Sequence, residues 1–443
     1  MTDTSAASSR FDSLWLWNLQ QPDAPRCVGE LRLQNIGKGV SLQYASDWIA
    51  KGFALSEDLA LSEAEHFPQA PAVAVGAVDD ARPDRWGERV IQFIDKPQRL
   101  SLMEYLYFAG DDRFGALGVS LSAQTYLPRR NGPLPRLADA QALSEVMRKV
   151  AAREPLTQLE RRMASAGGSF GGAKPKALIN ANGTEWVLKF FNGEPIDVPL
   201  IEHASMTLAA QAGIQVAQSM VVSLAGENAL AVRRFDRRDG LRIHCLSAGT
   251  VLRAVAAAGE APDLGYPNLA QWLRRSGDPS EGGNQRRFYE QDMRELFRRM
   301  VFNILIDNTD DHEKNHAVMR VLGASGVPRY RLSPAYDVLP TNSGQGQQEF
   351  GVGLEGRDST LTNAMSQCNL FGLGGPDAAQ EVMTVIRVVD GWKTHFAGCG
   401  VTARDIECLA ERIDGYPLWG QRRGFDPAAF VQRPVKPRRS PFL

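Results

Sequence analysis

The stretch from Met300 to His316, MVFNILIDNTDDHEKNH, constrains this chain more than any other part of it. An apolar helical run drives straight into a cluster of acids, amides and histidines, and a hydrophobic helix seldom ends that way without a chemical reason. Asp310 and Asn315 stand there in the spacing D-x-x-x-x-N. That interval separates the base from the magnesium-binding asparagine in the catalytic loop of protein kinases. The chemistry needs an acceptor for a hydroxyl proton and, close by, an oxygen ligand for a hard divalent cation. The spacing is common by chance, so it needs company. The same residues also spell H-E-x-x-H, from His312 to His316. A zinc protease must hold both histidines on one face of a helix. The KNH end offers no apolar face to fix such a helix, and two loop histidines are the simpler reading.

Other segments supply that company. LSPAYDVLP sets Asp337 among apolar neighbours, where a carboxylate is costly unless paired or bound to metal. It fits a second magnesium ligand. WVLKFF reads as a strand with Lys189 inside it, and LIEHASMTLAAQAGI as the helix that follows, carrying Glu202. A strand lysine with a glutamate on the next helix is how protein kinases hold the α- and β-phosphates of ATP. Upstream lies MASAGGSFGGAKPKALI, in which Gly167, Gly168, Gly171 and Gly172 surround Ser169 and Phe170, with Lys174 and Lys176 after them. Glycines let backbone N–H groups converge on an anion, and two lysines beside such a loop suit polyphosphate. The loop is neither a Walker A sequence nor GxGxxG. ALAVRRFDRR falls where a kinase hinge would lie, so Arg234 and Phe235 are candidates to meet adenine through their backbone. Each part alone has a plain alternative: a flexible loop, an edge lysine reaching water, a turn aspartate, a salt-bridged strand end. The order of the parts is what points to a kinase: glycine loop, strand lysine, helix glutamate, D-x-x-x-x-N, aspartate.

Length and composition allow this and exclude other classes. At ~100–200 residues per domain, 443 residues make two or three domains. The 50 Lys and Arg nearly cancel the 51 Asp and Glu, which argues against a polybasic nucleic-acid binder. No apolar run approaches the ~18–20 residues of a membrane span, and the polar start carries no secretory pattern. Five widely spaced cysteines without CxxC argue for free thiols in a reducing cytoplasm.

Along the chain, residues 10–50 alternate as hairpin strands, 72–79 add a short apolar run, and 83–97 and SLMEYLYFAG read as helices. RFGALGVSLS returns to strand, giving a mixed unit ending near 128. PRRNGPLPR reads as a linker. A β–α–β–β series follows a helix, and beyond 240 helical periodicity dominates, including AAQEVMTVIRVVDGWKTHF as one run. The Pro- and Arg-rich end reads as a loose tail.

SFGGAKPKAL (169–178), WVLKF (186–190), LAVRRFDRR (230–238), TDDHEKNHAV (309–318) and LSPAYDV (332–338) together resemble the HipA family, serine/threonine kinase toxins of bacterial toxin–antitoxin pairs. GDDRFGALGVSL (110–121) resembles the end of that family's N-terminal subdomain, and the likeness runs over about residues 12–430. The resemblance implies an α+β, kinase-like two-lobed fold. Residues 10–128 would be the N-terminal mixed α/β subdomain and 138–238 the small lobe. Residues 239–432 would be the mainly helical catalytic lobe, and 433–443 the tail. It implies ATP and Mg²⁺ as cofactors, with Gly171, Gly172, Lys174, Lys189, Glu202, Arg234, Phe235 and Asn315 at the nucleotide. Asp310 would be the base, Asn315 and Asp337 the metal ligands, and Ser169 the autophosphorylated serine whose modification silences the enzyme. A phosphate there would place about −1.5 to −2 charge in the loop that receives ATP. It implies a helix-turn-helix antitoxin partner of the HipB kind, DNA contacted only through it, no membrane, and a protein substrate such as an aminoacyl-tRNA synthetase. Two features depart from relatives: Asp311 stands where several have glycine, and Ser165 is a rival to Ser169. A catalytically weak co-repressor, a nucleotidyltransferase and a small-molecule or lipid kinase are the alternative functions.

Overall fold

The computed structural model describes residues 11–34, 38–129, 132–165, 174–257, 259–282, 286–321, 327–341 and 343–430. Ser169, Gly171 and Gly172 lie outside these, as does the tail. The chain opens with strands β1 (Ser13–Asn18), β2 (Arg26–Leu33) and β3 (Val40–Tyr44), then helices α1 (Ser46–Lys51), α2 (Arg85–Ile94) and α3 (Leu102–Phe108), and β4 (Leu117–Ser120). The sheet is antiparallel in the order β3-β2-β1-β4. Its alternating apolar residues, Leu14 and Leu16 among them, point into the core. The apolar run at 72–79 is not a strand. Gly76 turns there with φ +46°, and a Cβ on it would lie 2.5 Å from Ser56 Oγ. The chain then winds into a 3₁₀ turn over Gly76–Ala81. Ser101 and Glu104 close a capping box at the start of α3.

The next region holds α4 (Ala140–Ala152), α5 (Gln158–Ser165), β5 (Lys176–Ala181), β6 (Thr184–Phe190), α6 (Val198–Gln211), β7 (Ser219–Leu224) and β8 (Glu227–Arg233). The antiparallel sheet runs β5-β6-β8-β7. The expected β–α–β–β series is present, with β5 added at the edge. Leu188 and Phe190 of β6 pack with Leu143, Met147 and Val150 of α4. By strand alternation Lys189 therefore faces the opposite side, toward α6.

Then come β9 (Arg237–Arg238), β10 (Leu241–Arg242), β11 (Cys245–Ser247), α7 (Ala248–Ala254), α8 (Tyr266–Ser276), α9 (Phe288–Leu305), β12 (Ala317–Val321) and β13 (Arg329–Leu332). Helices α10 (Leu361–Ser366), α11 (Gly375–Val389), α12 (Trp392–Gly398), α13 (Ala403–Ile413) and α14 (Tyr416–Gly424) complete the described chain. The lobe is mainly helical around buried α9, as expected, yet it contains a small antiparallel sheet, β11-β12-β13. The run AAQEVMTVIRVVDGWKTHF is two helices, broken at Asp390–Gly391. All five cysteines are free thiols. Among the described residues no helix is long and apolar enough to cross a membrane.

Most of the core of the N-terminal region is shared with the rest of the chain. Trp86 and Val90 of α2 belong to the core under the second sheet, and Trp86 Nε1 donates to Lys176 O at 3.0 Å. Leu14, Leu16 and Val28 belong to a core continuous with α9. A buried ion cluster closes the junction. The Arg234 guanidinium bonds Asp236 twice, Glu185 at 2.9 Å, and the carbonyls of Asp112 and Arg113. Asp236 also accepts from Gly115 N at 2.8 Å. Burial alone would raise the Asp236 carboxyl, but Arg234 and Arg237 hold it down at about 2. Removing one partner from such a cluster leaves a charge stranded away from water. Arg234→Ala is expected to lower unfolding free energy by roughly 3 kcal/mol, read as a shift in the urea midpoint at unchanged slope.

Candidate active site

The site is built on β6. Lys189 Nζ lies 2.5 Å from Glu202 Oε1 and 2.7 Å from Asp337 Oδ1. Glu202 comes from α6, whose N-cap Asp197 accepts from Leu200 N at 3.1 Å. Asp337 comes from beyond β13. Burial would push the Lys189 ammonium down, but the two carboxylates outweigh it and hold it well above the ordinary lysine value. Asp337 is held well below the carboxylate range, chiefly by Lys189. Glu202 is raised by burial, which Lys189 only partly offsets. Asp337 has φ +58°, a left-handed backbone that a non-glycine residue adopts under constraint, as functional residues often do.

The β12–β13 hairpin joins the two acidic segments. Val318 pairs with Leu332, and Ser333 N donates to Ala317 O at 2.9 Å, so the residues before β12 and after β13 emerge together. Tyr336 Oη donates to Lys314 O at 2.7 Å and ties them directly. Asn315 Nδ2 donates to Asp310 O at 3.1 Å, folding the loop back on itself. That leaves Oδ1 as the amide atom a cation could take. The two histidines of H-E-x-x-H go different ways. His312 Nδ1 accepts from Lys314 N at 3.2 Å and caps a single 3₁₀ turn, Glu313–Asn315, while His316 is buried. Asp310 is exposed and Asp311 buried. Burial at the loop raises the Asp310 carboxyl, His312 opposes this, and the charges of Asp337 and Glu349 add to it.

A magnesium ion fits this donor set. The Asp337 carboxylate keeps 44 % of its side-chain surface open, and the Asn315 amide is a hard oxygen donor. Among the described residues no three His, Cys, Asp or Glu side chains cluster as a metal cage. Magnesium is ordinarily held by one or two carboxylates together with water and phosphate oxygens.

Lys174, at the end of the glycine-rich stretch, pairs with Glu194 at 3.0 Å and bears on Asp310. Ser165, the rival serine, ends α5 with its hydroxyl turned back to Arg161 O at 2.8 Å. The hinge expectation needs correcting at Arg234. Its N–H donates to Glu185 O at 3.1 Å, and its side chain is the centre of the junction cluster, so that N–H is lost to adenine. Phe235 packs between Phe114 and Tyr336.

Comparison with known proteins gives the family. Residues 168–392 match the HipA-like C-terminal domain and residues 24–120 the HipA N-terminal domain. The chain belongs to the HipA family. HipA of Shewanella oneidensis MR-1, solved with HipB and its operator DNA, superposes with a TM-score of 0.65 over 93% of this chain and 97% of that one, at 17% identity. This likeness establishes the kinase-like two-lobed fold. The Sinorhizobium fredii protein described as "Putative kinase Y4dM" is 29% identical over 263 residues. This chain thus spans 56% of the length of that relative. The Helicobacter pylori proinflammatory kinase CtkA covers 56% of this chain and 94% of its own, with a TM-score of 0.36 and 13% identity.

Two side chains near the site escaped the motif reading, and Lys176, read as a lysine beside the glycine loop, takes a more specific place. Lys176 is the register partner of Lys189 across β5 and β6 and is almost wholly buried. The period-two pattern of KALIN was the available signal. Asp84, from the N-terminal region, lies 3.0 Å from Lys314, and Glu349 donates its N–H to Thr309 O at 3.0 Å. Only the tertiary fold brings these two in. Burial, and then the charge of Lys189, push Lys176 down to about 8. A polyphosphate would favour its protonated form, so ATP binding should take up a proton near pH 8. Affinity should then fall as pH rises from 7 to 9, and Lys176→Met should flatten that dependence. Calorimetric titration in two buffers of different ionisation enthalpy reads both effects.

Proposed function

We propose that this HipA-family protein is an ATP- and Mg²⁺-dependent protein serine/threonine kinase, the toxin of a toxin–antitoxin pair. The observation that carries this reading is the double ion pair of Lys189 with Glu202 and Asp337, beside an exposed Asp310. Lys189 would hold the phosphates, and Glu202 would hold Lys189. Asn315 and Asp337 would hold the cation, which supplies charge neutralisation on the phosphates when bound. Asp310 would orient the acceptor hydroxyl and receive its proton. The hydroxyl oxygen bonds to the γ-phosphorus as the bond to the β–γ bridging oxygen breaks, and ADP leaves with the electron pair. The raised carboxyl of Asp310 suits a group that must accept a proton.

Ser169 would be phosphorylated by the same site, putting negative charge where ATP phosphates enter and silencing the enzyme. The acceptor protein would be a component of translation such as an aminoacyl-tRNA synthetase. The solved relative with HipB and operator DNA supports a HipB-like antitoxin partner, with DNA reached through it. The near-zero net charge fits that division of labour.

Asp310→Ala is expected to abolish γ-phosphate transfer while the protein melts as the wild type does. Wild-type transfer in that variant would disprove the base assignment. Incubation with MgATP followed by mass spectrometry should find phosphate on Ser169 and none in Lys189→Ala. A mass increase of AMP in place of phosphate would indicate nucleotidyl transfer, and no increase at all a co-repressor.

A further inference from the structure

The acid beside the candidate base has no part in the transfer scheme, yet it is the more firmly held of the two. Asp311 is only 2 % exposed. A carboxylate taken out of water is costly unless hydrogen bonds replace its hydration. Here they form a directed chain. Asn308 Nδ2 donates to Asn303 Oδ1 at 3.1 Å, Asn303 Nδ2 donates to Tyr266 Oη at 3.0 Å, and Tyr266 Oη donates to Asp311 Oδ2. From the other side, His316 Nε2 lies 3.1 Å from Asp311 Oδ1 and 3.2 Å from Oδ2. Burial would raise this carboxyl, but His316, Tyr266 and Asn303 outweigh it and keep it below the usual range. Hydrogen bonds linked in this way polarise and stiffen one another.

Phe350 roofs the cluster. Its ring stacks on His316 at 5.2 Å and meets Tyr266 edge-on at 5.0 Å. Tyr266 N donates to Gly351 O at 2.8 Å, and Gly351 N to Leu264 O at 2.9 Å. Those backbones lie so close that a Cβ on Gly265 would stand 3.0 Å from Gly351 O. The segment that brings Glu349 beside Asp310 is thereby fastened to the residues that grip Asp311.

We propose that Asp311 is a positioning residue for the transfer step: gripped by Tyr266 and His316 beneath Phe350, it fixes the backbone that presents Asp310 to the acceptor hydroxyl. This inference rests on the kinase reading. The chain turns tightly here, with His312 N donating to Asp310 O at 3.0 Å across Asp311, so that 311 is drawn inward while 310 faces solvent. The second histidine of H-E-x-x-H acquires a role here as a clamp on the catalytic loop.

The test uses the full chain, with MgATP as the only ligand. Asp311→Asn keeps the shape and loses the charge. Tyr266→Phe keeps the ring and loses the donor, and serves where the first variant fails to fold. Each is expected to lower the turnover number for phosphate incorporation by about 10- to 100-fold, with MgATP affinity within about threefold of wild type. The double variant should be no worse than Asp311→Asn alone, because both break one network. Hydrogen exchange should quicken in amides 307–317 and not elsewhere in the helical lobe. Folded variants with wild-type turnover, a turnover loss matched by lost MgATP affinity, or effects that multiply would each overturn the proposal. A wild type that transfers no phosphate sinks the kinase reading. Unaltered exchange over 307–317 sinks the positioning role whatever the activity.

Discussion

Everything at the site hangs on one partly buried ammonium. Lys189 sits in a strand between Leu188 and Phe190, whose side chains enter the core on the far face. Its charge has to be answered on the near face, and two carboxylates from distant parts of the chain answer it. A lysine placed there without partners would lose its proton or unfold the strand. The pairing therefore joins α6 to the sheet and the helical lobe to the small lobe in one contact. A nucleotide bound there would compete with those carboxylates for the lysine, so the ion pair also sets how the cleft can respond to its ligand.

Much of this was legible in the residues. A lysine set inside the apolar strand VLKFF marked Lys189 as needing a partner, and helical periodicity in the following segment supplied Glu202. The spacing of Asp310 and Asn315 survived as a folded loop because Asn315 bonds back to Asp310 O. The hairpin that carries Asp337 to the same place was not legible. Its strands, β12 and β13, are five and four residues long, too short for a period-two pattern to stand out. The apolar run at 72–79 forms no strand for a local reason, since Gly76 takes a positive φ that ends extended structure.

The hinge and the N-terminal region show where sequence order says little about space. RRFD looked like a place for adenine, but Arg234 is drawn inward by Asp236 and Glu185 and by carbonyls 121 and 122 residues away in the chain. The N-terminal region reads as a unit in sequence, and its Trp86 and Val90 also complete the core beneath β6. From the same region Asp84 pairs with Lys314, in the loop that carries Asp310 and Asn315.

The sequence by itself determined the family and the lobe order, through the motifs it shares with HipA proteins, and local periodicity and fixed spacing picked out the residue types that could meet a nucleotide. It also placed two acids side by side, Asp310 and Asp311, with no means of telling them apart. Only the tertiary structure separated them. Tyr266, Asn303 and His316 converge on one carboxylate and replace its water, and the other is left facing solvent. Burial is a property of what surrounds a residue, and those surroundings come from helices α8 and α9 and from the segment around Phe350, which adjacency in the sequence does not encode.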